Sequence, residues 1–196
     1  MGAPGRYRLK LAVGPPGPKQ RSATREIEVL ADPRAGVSDA DIRSSVDFTL
    51  AARDALNRTL DAIEQVRSAH EQADDIVKRL AATGKHADLV ALAATLVKRC
   101  EEIEARLHNP KAEVVYDILA QKGGAQLYSQ ISYLYSSSGS QSSDYPPPQG
   151  TRERLVTLDA EVASLNAEVQ RMRGGEIARL EAALNAAGIP RILLPH

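Results

Sequence analysis

At 196 residues the chain is long enough for one or two domains with a real core. Its 25 Lys plus Arg balance 25 Asp plus Glu, which excludes a general electrostatic field for nucleic acid or an anionic membrane. With no Trp, one Phe and six Tyr, packing falls to alanine and leucine, the materials of helix-on-helix layers rather than of β-sandwiches.

Residues 1–34 differ from everything after them. Tyr7, Leu9, Leu11 and Val13 alternate with Arg6, Arg8, Lys10 and Ala12, the period of a half-buried strand. Gly14-Pro15-Pro16-Gly17 breaks it and Glu26-Ile27-Glu28-Val29 resumes it, so the segment reads as a β-hairpin with a long loop. A two-stranded hairpin alone is marginal in water. Either it packs on the helices, or it is the last hairpin of a β-sandwich whose earlier strands lie outside this chain. The second reading is preferred, because the chain opens at a strand.

After a turn at Asp32-Pro33-Arg34-Ala35-Gly36, a helix start is well marked. Ser38 is an N-cap with Asp41 three residues on, and Val37 and Ile42 occupy the positions of a hydrophobic staple. Ile42, Val46, Ala52, Leu56, Leu60, Ile63, Val66, His70, Ala73, Val77 and Leu80 then suggest one apolar stripe, uninterrupted until Gly84. Such a helix runs about 65 Å and needs a partner along most of its length. A second helix is expected from Asp88 to Leu107, with Leu89, Leu92, Leu96, Cys100, Ile103 and Leu107 as its stripe. The tight turn at Gly84-Lys85-His86 makes it antiparallel to the first.

Short helices follow around Val114–Leu119 and Leu127–Leu134, separated by Gly123-Gly124. These complete a helical region over 38–135. Residues 136–150 read as a Ser/Pro-rich connecting loop. A last long helix is expected within 151–196, from Thr151 to Ala187. Leu155, Leu158, Val162, Leu165, Val169 and Met172 keep a heptad, whereas Ile177, Leu180, Leu184 and Ala187 resume it one residue late, after Gly174-Gly175. The glycine pair therefore marks a local bend or a close approach. Ile192-Leu193-Leu194 is an apolar tail expected to dock on the bundle. The fold class is mainly α: an antiparallel bundle of three to four long helices, preceded by a short β-hairpin.

Chemistry-bearing patterns are sparse. Glu64, Glu71, Asp74, Glu101, Glu104, Asp159, Glu161 and Glu168 read as solvated helix faces with basic neighbours. His70, His86, His108 and His196 have no metal spacing, and His70 sits on the apolar stripe. The lone Cys100 reads as a small core residue. No catalytic, metal-binding or cofactor-binding residue is assigned, and no cofactor is expected. The apolar runs fall short of the about 20 residues needed to cross a bilayer, and no secretory signal pattern follows Met1. The one local concentration is tyrosine: Tyr128, Tyr133, Tyr135 and Tyr145 could stack on sugars or grip a partner, although packing the loop against the helix ends is the plainer role.

The order of these features resembles a known type of tail. Gly5-x-Tyr7-x-Leu9-x-Leu11, a second strand ending in Asp32-Pro33-Arg34, and Ser38 opening a long helix are similar to the C-terminal region of bacterial BNR-repeat, sortilin-like propeller proteins labelled glycosyl hydrolases. The later Leu127-x(6)-Leu134 segment, the proline-marked loop and Leu184-Asn185 are also similar to that tail, while Gly139 to Pro148 is longer and richer in Ser and Pro. The resemblance implies propeller blades and a β-sandwich-like segment upstream, in an exported parent. It carries over no catalytic residue, because the Asp-box turns of such propellers end in Trp and this chain has none.

Three functions follow as expectations. The first is a non-catalytic accessory module whose partner is an upstream propeller domain. The second is an independent coiled-coil protein that self-associates through its helices. The third and weakest is a small hydrolase using the tyrosine-rich loop and Asp144.

Overall fold

The computed structural model describes residues 2–109, 124–140 and 145–189. Two strands, β1 (Gly5–Val13) and β2 (Arg21–Val29), form an antiparallel hairpin in which Tyr7 lies opposite Ile27 and Leu9 opposite Arg25. Arg6 faces Glu28 and Arg8 faces Glu26, so the polar side of the ribbon pairs opposite charges across the strands. Among the described residues the helices are α1 (Asp39–Thr83), α2 (Ala87–Leu107), α3 (Leu127–Ser140), α4 (Gln149–Met172) and α5 (Ala178–Ala186), with a π-turn at Arg173–Ile177 joining the last two. The fold is mainly helical, with the hairpin in front, as the sequence predicts.

The Asp-Pro-Arg turn holds itself together. The backbone N–H of Arg34 donates to Asp32 Oδ1 at 2.9 Å, and its guanidinium donates to Oδ1 and Oδ2 at 3.0 and 2.8 Å. Four residues beyond Arg34, Ser38 caps α1 in a closed capping box. The Asp41 N–H donates to Ser38 Oγ at 3.2 Å, and the Ser38 N–H returns to Asp41 Oδ2 at 3.2 Å. At the far end Gly84 takes the left-handed conformation that terminates the helix. His86 adopts φ 59°, an uncommon choice for a residue with a Cβ, and the chain reverses into α2.

Across this turn α1 and α2 run antiparallel, as the pairs Arg67–Glu104 and His70–Glu101 require. α3 continues the direction of α2 along the first half of α1, placing Leu134 and Ser137 beside Phe48 and Ser45. α4 returns parallel to α1. Arg58 bonds Asp159, and farther up Cys100 Sγ of α2 lies 3.8 Å from Met172 Sδ. Among the described residues the result is a bundle three helices thick, in which α2 and α3 share one of the three rods end to end. Asn109, 3% exposed, ties the junction by donating to the Gly124 carbonyl at 2.9 Å.

The α1 seam keeps Ile42, Ala52, Ile63, Val66, Ala73 and Leu80 of the expected stripe and differs at its other members. From Ala52 onward the buried positions are Ala52, Ala55, Thr59, Ala62, Ile63, Val66, Ala69, Ala73, Ile76 and Leu80, an alternation of three and four that Ile63 alone interrupts, with Ile42, Ser45 and Phe48 buried before it. Leu56, His70 and Val77 flank it, half-buried, and Leu60 is 43% exposed. The alanines of this seam let a central helix lie close to its neighbours, with Leu56, His70 and Val77 closing the flanks. Buried Thr59 is satisfied by its own helix, donating to the Ala55 carbonyl at 2.9 Å. On α2, Ala93 joins the seam and Leu92 is half-buried, for the same reason.

Two further differences lie in the second half. The helix α3 runs on through Ser136, Ser137 and Ser138, where the sequence suggests that a loop begins. Each of these hydroxyls donates to the carbonyl three residues back, so the polar run is compatible with helix while Leu127, Ile131 and Leu134 anchor it. At Gly174-Gly175 the phase slip becomes a π-turn. One extra residue is absorbed, and Ile177, Leu180 and Leu184 return to the seam. Ala187, expected to continue the stripe, is exposed, and Ile189 packs on the core instead. The glycines serve no close approach, since a Cβ at either would meet nothing within 4 Å. The expected short helix at Val114–Leu119 and the apolar tail Ile192-Leu193-Leu194 lie outside the described residues.

Candidate functional site

The tyrosines do not form one site. Tyr128 on α3 is half-buried, its ring 5.6 Å from that of His108 and tilted by 50°. It packs the end of α2 against the start of α3. Tyr133 and Tyr135, two positions apart, project from opposite sides of α3. Tyr133 is 71% exposed and, with Tyr145, Phe48 and Pro146 to Pro148, lines an open groove of about 440 Å³ at the hairpin end of the bundle. The Tyr145 hydroxyl donates to the Ala35 carbonyl at 3.5 Å, which pins the returning chain beside the start of α1. Tyr135 lies outside that groove. Packing of the chain's turns accounts for Tyr128 and in part for Tyr145, while Tyr133 and Tyr135 remain on the surface. Asp144 lies outside the described residues.

The acidic residues largely join helices rather than converge on a cleft. Glu168 accepts from Arg99 at 2.7 Å and from Arg106 at 2.8 Å, clamping α4 to α2. Glu104 accepts from Arg67 at 2.6 Å, and Asp74 pairs with Lys78 at 2.5 Å within α1. Among the described residues no group of three or more His, Cys, Asp or Glu is gathered as a metal site would need. Cys100 is fully buried, and burial first, then nearby Glu104, Glu101 and Glu176, pushes its thiol up to about 12. A thiol that stays protonated and buried is a packing residue, not a nucleophile. His108 is held below its ordinary range, chiefly by burial and then by the Arg67 charge, against an opposing pull from Glu104.

The feature that stands apart is the hairpin. All of β1 beyond Gly5 is exposed, and so is all of β2 before Val29. On one side Tyr7, Leu9, Leu11 and Val13 are 38%, 56%, 69% and 63% exposed, with Ile27 beside them at 39%. At the base, Arg43 of α1 donates to the Pro4 carbonyl at 3.4 Å. Packing of the strands on the bundle, one of the two placements that the sequence leaves open, is not seen. The alternation was legible in the sequence. The sequence also favours a hairpin that the helices leave uncovered, but it does not show the direction in which α1 leaves it, on which covering depends.

Comparison of the chain with protein-family models, with curated proteins and with solved structures finds no match. No helix among the described residues is long and apolar enough to cross a membrane. What the fold itself defines is a three-rod helical bundle with its seams closed and a β-hairpin held out in front.

Proposed function

We propose that this chain is a non-catalytic accessory module, a helical bundle that spaces or anchors a β-structured partner through the hairpin. The observation that carries the reading is the apolar side of β1, open to solvent beside a bundle whose own seam is buried. A marginal two-stranded ribbon gains stability when further strands or another layer cover it. The resemblance of the Gly-x-Tyr strand and the Asp-Pro-Arg-x(3)-Ser junction to propeller-protein tails suggests the partner, an upstream propeller domain of an exported, glycosyl hydrolase-like parent.

Self-association through helices is the weaker reading, since the heptads that motivate it, Leu155 to Met172, are buried within the chain. Intact-mass analysis of the product in the cells that make it tests the proposal. A product well above 21.1 kDa whose added peptides read as propeller blades supports the fused form. A free 21.1 kDa product that migrates with no β-rich partner overturns the accessory reading.

A further inference from the structure

The two edges of the hairpin are not equivalent. On the apolar side β1 presents Tyr7, Leu9, Leu11 and Val13 without interruption, whereas β2 presents Ile27 together with Arg25, Ala23 and Arg21. Charges pointing toward the apolar side of an edge strand discourage another strand from pairing there. The edge of β2 is thus guarded and that of β1 is open. On the other side β1 carries Arg6, Arg8 and Lys10, while both acidic residues of the hairpin, Glu26 and Glu28, belong to β2. From Gly5 to Val29 there are six basic residues against two acidic, in a chain whose net charge is zero.

We infer that the free edge of β1 accepts a partner's β-strand of about nine residues in which apolar side chains alternate with acidic ones. This rests on the reading of the hairpin as a docking element and adds the edge, the face and the charge of what docks. The incoming apolar residues would extend the Tyr7–Val13 row, and the incoming carboxylates would lie opposite Arg6, Arg8 and Lys10. Each base would then sit in a cross-strand ladder, with Glu28 and Glu26 already opposite Arg6 and Arg8. Backbone hydrogen bonds along the edge supply affinity, and the alternation supplies specificity.

A second copy is a poor occupant. Antiparallel pairing of β1 with itself sets Arg6, Arg8 and Lys10 against one another, and pairing of β1 with another copy's β2 brings Arg25 and Arg21 into the apolar row. A lipid surface is poorer still, because an open ribbon in hydrocarbon would bury its unpaired edge N–H and C=O groups.

The test measures binding of two fluorescein-labelled peptides to the full chain by anisotropy, one alternating Val with Glu and the other Val with Lys. The Val-Glu peptide is expected to bind about tenfold more tightly, with the preference shrinking at high salt. Leu9→Lys with Leu11→Lys abolishes binding. The variant Arg6→Glu, Arg8→Glu, Glu26→Arg, Glu28→Arg keeps the internal pairs, so the hairpin stays folded, and it reverses the preference. Equal binding of both peptides, or binding of neither, overturns the inference. So does a chain dimer that Leu9→Lys and Leu11→Lys dissolve, or capture of the hairpin by anionic lipid vesicles. Failure here leaves the mass test of the accessory reading untouched.

Discussion

His86 holds φ 59° with no glycine to ease it, in the turn that sets α2 against α1. A side chain costs about 1 kcal/mol in this region, and nothing in the turn uses the imidazole as a cap. His86→Gly is therefore expected to raise the urea midpoint by an amount equivalent to about 1 kcal/mol, less what a freer unfolded chain gives back. His108 acts in the opposite sense. Burial disfavours its charged form in the folded chain, while the unfolded chain protonates near pH 6.5. Its folded value lies below the unfolded one, so stability is whole above pH 6.5 and falls as pH drops through that value. Melting temperatures on either side of pH 6.5 should differ more in the parent than in His108→Gln. An unchanged difference would assign the slope to other groups.

At the scale of the element, the last rod is two helices phased by one π-turn. Met172 and Ile177 are five apart where an α-helix would place seam residues four apart, and the π-turn absorbs the surplus. Deleting Gly174 should give a continuous helix with Ile177, Leu180 and Leu184 still in the seam. Stability should change by no more than about 1 kcal/mol, upward if the lost glycine dominates. Inserting one Ala after Gly175 has the opposite geometry. It turns three buried residues away from the core and should cost about 3 kcal/mol or more. Urea denaturation of the pair checks this, and equal losses in both would refute the phasing role. The slip itself was legible in the sequence, since heptads count residues. Its resolution as a π-turn was not, because a bend or a skip would have served the same count.

For the whole molecule, the hairpin and the bundle share little surface. Arg43 reaches Pro4 at the base, and Tyr145 holds Ala35 in the linker that follows. Removing residues 1–36 while leaving Val37 and the Ser38 cap should shift the melting temperature by no more than about 3 °C and preserve cooperative helical unfolding. A loss of cooperativity would mean that the hairpin is part of the bundle's core after all. Bundle and docking element would then be one unit, and the accessory reading would need another surface.

Elements followed from local chemistry. Ser38 with Asp41, Gly84, the heptads of Leu155–Met172 and the alternation of Tyr7–Val13 each mark a structure that its own neighbours stabilise, and each is found where the sequence puts it. The core of α1 was legible only in part, and the rest was decided by tertiary packing. Burial on a central helix is set by how many neighbours surround each face, and here Ala55, Ala62 and Ala69 face inward beside larger residues while Leu60 does not. The same holds for the tyrosines. Their proximity in sequence placed them on one short stretch, but the path of α3 and the return of the chain at Tyr145 separated Tyr128 from Tyr133. Whether the hairpin would be covered was likewise a question of docking. Alternation specifies that a strand has an apolar side, and only the arrangement of the other elements determines what, if anything, lies against it.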